Sequence, residues 1–314
     1  MSSNVKFWSP NVKACTAGVR HHGAMTSIAT RRITVDGLTT SVHLGGHGAA
    51  REAVVFVHGN PDAGADWMPL MVRVAEFATV VSPDLPGFGA ADAPAHGDYT
   101  VAGYARFLDG LIAQLGLERV HLVAHDFGGP FALTWAADHP ELIGSVTLLN
   151  TGVMIGYRWH RMARIWRTPL LGELMMRRTT LGVARVALGR ENPGLPREWV
   201  DTLARHLVPT HTKRAVLKLY RSTRVDDVAA LTPRLRAHDH DALVVWGAAD
   251  SYLPVEQAHR QVQAFPRVQI HILPGVGHWA WLEQTDQVAA HVLPFLRQRV
   301  STPQSANSQP AQGD

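Results

Sequence analysis

The stretch Val123-Ala-His-Asp-Phe-Gly-Gly129 joins two sequence patterns, and their junction decides the fold. Before it, Arg119-Val-His-Leu-Val-Ala124 is a short apolar run of the kind that forms a buried strand. After it, Gly128 to His139 carries apolar residues at helical spacing and is closed by Pro140, which cannot continue a helix. A strand that turns into a helix through small residues projects one side chain from the carboxyl edge of a sheet. Here Ala124 and Gly128 hold the small positions and Asp126 the projecting one. A carboxylate placed there is ionised at neutral pH and attacks without a base, which suits displacement at sp3 carbon. Taken alone, the motif has a second reading, in which Asp126 caps the following helix.

Outward from this junction, β-type runs precede it at Ile33–Val35, Thr39–Leu44, Ala53–Val57 and Thr79–Ser82. Others follow at Val146–Leu149, Ala242–Trp246 and Val268–Leu273, and Val101–Leu117 and Val255–Phe265 read as helices. Alternation of this kind predicts an α/β protein with a mainly parallel sheet covered by helices on both faces. Residues 153–237 break the rhythm, being rich in Arg, Trp, Met and Leu at helical spacing. They hold 17 Lys and Arg against 6 Asp and Glu, while the rest of the chain holds 13 against 20. The broken rhythm and the contrast in charge predict a helical cap at 153–237, inserted between core segments 31–152 and 238–300. Residues 1–30 and 301–314 read as tails, the second rich in Ser, Gln, Pro and Ala.

Composition narrows the function classes. Hydrophobic residues at 46% against 18% charged support a large buried core. No long uncharged apolar stretch and no apolar signal core at the start occur, so a soluble cytoplasmic protein is expected. A pI near 9.5 invites a nucleic-acid partner, but no nucleic-acid motif accompanies the basic residues. Cys15 is the single cysteine and cannot form an intrachain disulfide. His21-His22 and His238-Asp-His-Asp241 lack further ligands at metal-binding spacing, so neither a metal nor another cofactor is expected. Tyr157 to Arg167 forms a basic amphipathic run. A solvated cap face with Trp, Met and Ile packed inward is preferred for it over contact with a lipid surface.

Three further segments fall where a nucleophile at Asp126 needs them. His58-Gly-Asn-Pro61 follows the run ending at Val57, where the backbone N–H groups of Asn60 and Phe127 would converge on one oxygen. His58 itself reads as a residue bracing the loop. Val245-Trp-Gly-Ala-Ala-Asp250 ends a strand in an acid, and Pro274-Gly-Val-Gly-His278 follows the last strand with a histidine. The order nucleophile, acid, base predicts that Asp250 holds the imidazole tautomer and His278 activates water. The chain has 18 histidines, so position rather than residue type selects His278.

With Asp84-Leu-Pro-Gly-Phe-Gly89 and Gly277-His-Trp279 added, these motifs resemble the epoxide hydrolase and haloalkane dehalogenase branch of the α/β-hydrolase superfamily over nearly all of residues 31–300. The resemblance implies attack by Asp126 on carbon to give an alkyl ester, then hydrolysis of that ester by water with help from His278 and Asp250. Epoxide hydrolases of this branch protonate the leaving oxygen with two cap tyrosines, for which Tyr157 and Tyr220 are the candidates. Haloalkane dehalogenases hold the leaving halide with N–H donors, commonly an Asn in the first loop and a Trp after the nucleophile. Asn60 matches, but Phe127 stands where that Trp is usual; Trp159, Trp166 or Trp199 are the other indoles at hand. Epoxide hydrolysis ranks first, haloalkane dehalogenation second, and a binding protein on the same fold third, since intact Asp126, Asp250 and His278 argue for chemistry. A small apolar substrate and water are the expected partners.

Overall fold

The computed structural model describes residues 27–49, 51–94 and 97–301. Cys15, His21-His22 and most of both expected tails lie outside the described residues. The eight strands are β1 (Ile28–Val35), β2 (Leu38–Gly46), β3 (Glu52–Val57), β4 (Thr79–Pro83), β5 (Arg119–His125), β6 (Ile143–Leu149), β7 (Ala242–Gly247) and β8 (Gln269–Leu273). They form one sheet in the order β1-β2-β4-β3-β5-β6-β7-β8. From β4 to β8 the strands run parallel, while β2 lies antiparallel to both β1 and β4.

Burial follows from position in that sheet. All six residues of β3 and all six of β7 are buried, as continuous apolar runs covered on both faces should be. The edge strand β1 is largely exposed, and its sequence, Ile-Ala-Thr-Arg-Arg-Ile-Thr-Val, lacks the clean alternation of a half-buried strand. For that reason the sequence reading starts this strand at Ile33 and assigns residues 28–30 to a tail; the structure begins it at Ile28. Asp36 (φ 47°) and Gly37 (φ 81°) turn β1 back onto β2, as a two-residue hairpin with both φ angles positive requires. The expected helix Val255–Phe265 is shorter, α-helical only over Glu256–Arg260 and tightening to a 3-10 turn at Gln261–Gln263.

In the core, the helices are α1 (Met68–Val74), α2 (Val101–Gln114) and α3 (Gly128–Asp138). Seven helices stand between β6 and β7: α4 (Arg161–Arg167), α5 (Leu171–Arg178), α6 (Leu181–Glu191), α7 (Arg197–Leu207), α8 (Thr210–Ser222), α9 (Val225–Ala229) and α10 (Thr232–Ala237). Within this segment α4 packs on α8 and α6 on α7. The chain ends in α11 (Glu256–Arg260), α12 (Ala280–Glu283) and α13 (Thr285–Arg297). No helix of the described residues is long and apolar enough to cross a membrane.

Candidate active site

The turn from β5 into α3 is tight enough to exclude side chains. Asp126 sits at φ 46°, a left-handed conformation that Asp tolerates better than most residues. A Cβ on Gly128 would lie 2.2 Å from the Val57 carbonyl oxygen and one on Gly129 would lie 2.0 Å from Thr151 Oγ1. A Cβ on Gly59 would lie 2.5 Å from the Asp126 Cβ. Backbone oxygens cannot rotate away, so Gly128→Ala should lower stability by about 1–3 kcal/mol or more and remove activity. The urea midpoint of the variant measures the first and turnover the second.

No side chain caps α3, and Asp126 is not its cap. The helix-capping alternative is therefore excluded. Instead Asp126 Oδ2 accepts a hydrogen bond from the Asn60 backbone N–H at 3.0 Å, and Thr151 Oγ1 donates to the Asp126 carbonyl at 2.5 Å. With Oδ2 pinned in the loop that follows β3, Oδ1 is the oxygen turned toward His278, 3.9 Å from its Nε2. That separation is too long for a direct hydrogen bond. Phe127 lies at the α3 N-cap, and its ring meets Tyr220 edge-on at 4.9 Å.

His278, Asp250 and Asp126 come together from three strand ends. His278 Nδ1 lies 2.7 Å from Asp250 Oδ2, and the side chains are 3% and 0% exposed. Asp250 is over-determined: Asn150 Nδ2 donates to Oδ2 at 2.8 Å, while the Tyr252 and Leu253 N–H groups donate to Oδ1 at 2.8 and 2.9 Å. Burial alone would raise the Asp250 pKa, but the His278 charge and these hydrogen bonds hold it below the ordinary value. Burial likewise opposes the His278 charge, yet Asp250 and then Asp126 raise its pKa above the ordinary 6.5. For Asp126 burial wins, so its pKa is raised despite His278, His125 and the Asn60 N–H.

Beneath these groups lies a second buried pair that the sequence reading missed. His125 Nδ1 is 3.1 Å from Asp62 Oδ2, and both side chains are fully buried. Asp62 also accepts from Trp279 Nε1 at 2.7 Å and from the Gly59 N–H at 3.2 Å. His58 is a brace, as expected: its Nε2 accepts from the Leu85 N–H at 2.9 Å.

A cavity enclosing about 780 Å3, its mouth included, opens over Asp126 and His278. Its walls are mostly apolar and aromatic, and its lining contains no Lys or Arg among the described residues. Tyr157 and Tyr220 both line it, as do Trp159 and Trp166; Trp199 does not. The Tyr220 hydroxyl is 3.5 Å from Asn60 Nδ2, and Asn60 Oδ1 has no partner among the described residues. The Tyr157 hydroxyl donates to the Tyr252 carbonyl at 3.2 Å. Burial, reinforced by the Asp126 charge, keeps the Tyr220 phenol protonated well beyond its usual range. Burial does the same for Tyr157. His160 and Tyr252, which carried no motif, also line the cavity. Burial holds His160 down to about 4, so it is neutral. His238 and His240 stack on each other at 5.8 Å, and no group of three or more His, Cys, Asp or Glu suited to a metal occurs among the described residues.

Residues 52–285 match the family of the alpha/beta hydrolase fold, and the chain belongs to it. It is 28% identical over 269 residues to the 2-hydroxy-6-oxo-6-phenylhexa-2,4-dienoate hydrolase of Burkholderia cepacia, covering 81% of this chain and 91% of that one. It is 26% identical over 270 residues to a 2-hydroxymuconate semialdehyde hydrolase of Pseudomonas sp. strain CF600, covering 85% and 93%. Among solved structures, an epoxide hydrolase of Vigna radiata superposes with a TM-score of 0.71 at 20% identity, over 86% of this chain and 98% of that one. The 2-hydroxy-6-oxo-6-phenylhexa-2,4-dienoate hydrolase of a Rhodococcus superposes with a TM-score of 0.74 at 22% identity, over 87% and 99%. At these identities the structural neighbours establish the fold alone.

Proposed function

We propose that this hydrolase opens an apolar epoxide to a vicinal diol through an alkyl ester on Asp126. The observation that carries the reading is the carboxylate at the elbow, with Oδ2 fixed by the Asn60 N–H and Oδ1 left facing the cavity side of His278. Oδ1 attacks the epoxide carbon, the C–O bond of the ring breaks, and the released oxygen takes a proton from Tyr220 or Tyr157. Water then loses a proton to His278 Nε2 and attacks Cγ of Asp126. The Asn60 N–H stabilises the charge that develops on Oδ2. Collapse breaks the bond between Cγ and the product oxygen, which takes the proton held by His278, and the second proton of water passes from the new carboxyl to the tyrosinate, so the diol leaves and Asp126 is again a carboxylate.

Esterification also prepares the second step. The Asp126 charge raises the His278 pKa in the free enzyme, and the ester carries no such charge. His278 is therefore a weaker holder of protons once the ester exists. The acid limb of ester hydrolysis should fall at lower pH than the midpoint at which His278 titrates in the free enzyme. Single-turnover rates across pH, set beside a titration of the resting protein, measure the difference; coincident midpoints would count against it.

Two other chemistries have less support. A dienoate carries a carboxylate, and a cavity lined without Lys or Arg offers it no cationic partner. Attack by Asp126 on a carbonyl carbon would also give an anhydride in place of an alkyl ester. Haloalkane dehalogenation shares the ester but needs N–H donors for the halide, and Phe127 has none in its side chain. Asn60 Nδ2 is one such donor, so this remains the second reading.

Tyr220→Phe and Tyr157→Phe separate the cases. With an epoxide substrate, loss of the proton donor should slow ester formation roughly 10- to 1000-fold, leaving ester hydrolysis nearly unchanged. The Tyr220 variant should lose more, because the Tyr157 hydroxyl already donates to a backbone carbonyl. Full epoxide turnover in both single variants and in the double variant would overturn the epoxide reading while leaving the ester mechanism standing.

A further inference from the structure

Hydrogen-bond accounting at the floor of the site distinguishes three histidines by what their ring nitrogens face. His58 Nε2 accepts from a backbone N–H, so its proton is on Nδ1, which donates to the Gly59 carbonyl at 2.9 Å. His278 donates from Nδ1 to Asp250, leaving Nε2 free to accept. His125 differs. Its Nε2 lies 3.2 Å from the His278 carbonyl oxygen, which can only accept. Its Nδ1 faces Asp62 Oδ2 at 3.1 Å. The remaining neighbours of Asp62, the Trp279 indole and the Gly59 N–H, are donors, and against the effect of burial the contact with His125, helped by the indole, holds its pKa down at about 2, so Asp62 is a carboxylate and it too can only accept.

We infer that His125 stands as an imidazolium in the resting enzyme, paired with Asp62, and that this fixed charge leaves His278 free to take and release the working proton. Both ring nitrogens of His125 then donate, and no buried polar atom of the pair is left without a partner. The charge count gives the functional consequence, which rests on the ester mechanism proposed above. Asp62, Asp126 and Asp250 are three carboxylates in one buried cluster. If His278 were the only cation available to it, the cluster would hold the base in its protonated form. The His125 imidazolium neutralises one of these carboxylates. It touches no reacting atom; it is a positioning residue that also braces the His278 backbone.

The groups facing the pair are few. Toward His125 stand Asp62 and neutral His58 on the loop after β3, Asp126 beside it in the chain, and His278, with Trp279 and Trp281 packed against the ring. Toward His278 stand Asp250, Asp126 and Asp62, with Tyr252 against its ring at 4.9 Å and neutral His160 beyond.

The test needs no substrate, so its outcome is separate from that of the ester mechanism. Nitrogen NMR of the full chain labelled in histidine should show both His125 ring nitrogens protonated at neutral pH, while His278 titrates. In His125→Asn, Asp62 keeps a neutral donor but loses its counter-charge, and the His278 midpoint should move up by about one pH unit or more. The double variant Asp62→Asn with His125→Asn removes both charges and should bring it back. A bracing role alone would leave the His278 midpoint where it was in every variant. A single neutral tautomer of His125 in the wild-type spectrum overturns the inference, and that spectrum decides the matter even if the variants fail to fold.

Discussion

His278→Gln should convert a catalyst into a reagent that reacts once. Glutamine has no ionisable nitrogen to take a proton from water, so ester hydrolysis should slow by roughly 10^2- to 10^4-fold. Formation of the ester asks nothing of His278, because Asp126 attacks as an anion. After exposure to an epoxide, the protein should gain the whole mass of the epoxide on the peptide that contains Asp126. After exposure to a haloalkane it should gain the alkyl group without the halogen, if it reacts at all. The same experiment therefore ranks the two leaving groups. Unmodified Asp126 across a broad panel, with His278→Gln folded, would remove both readings.

Asp126→Asn should abolish turnover, on the order of 10^5-fold or more, and at the same time stabilise the fold. Asn tolerates the left-handed backbone at φ 46° and matches the carboxylate in shape, so the elbow should persist. The stability gain follows from the raised pKa of Asp126, whose main cause is burial. A carboxyl whose folded pKa is raised contributes stability below its unfolded value and loses it as pH rises through the folded value. At neutral pH the wild type therefore carries a buried charge that Asn lacks. Thermal melts should give the variant the higher midpoint at neutral pH, with the difference shrinking as pH falls through the carboxylate range. Equal melting at all pH values would show that burial does not strain the wild-type carboxylate.

Much of this site could be read from the chain because each motif lies where a strand ends. Asp126, Asp250 and His278 follow β5, β7 and β8; β7 announces itself as a continuous apolar run, β5 as a largely apolar one and β8 by alternation. The geometry then brings together residues far apart in sequence. The Asp62–His125 pair was not legible for the converse reason. His125 reads as a flank of Asp126 and Asp62 as a loop acid, and nothing in either local pattern says that the loop after β3 folds under the end of β5. Asn150 escaped likewise: it sits at φ 46° just past β6, and only the folded chain carries its amide to Asp250. His160 and Tyr252 line the cavity without a motif, because cavity walls are set by how α4 and the loop after β7 pack. Edge strand β1 reads short in the sequence because residues 30–32 are polar and exposed and break the alternation between Ile28 and Ile33.

The central claim is that the oxygen joined to substrate comes first from Asp126 and only later from water. A single turnover of the wild-type enzyme, in excess over an epoxide, in water enriched in 18O tests it directly. The account predicts a diol without 18O in that first turnover, and one 18O atom in the Asp126 carboxyl. A labelled diol with unlabelled Asp126 would mean that water adds to the epoxide directly, and would contradict it.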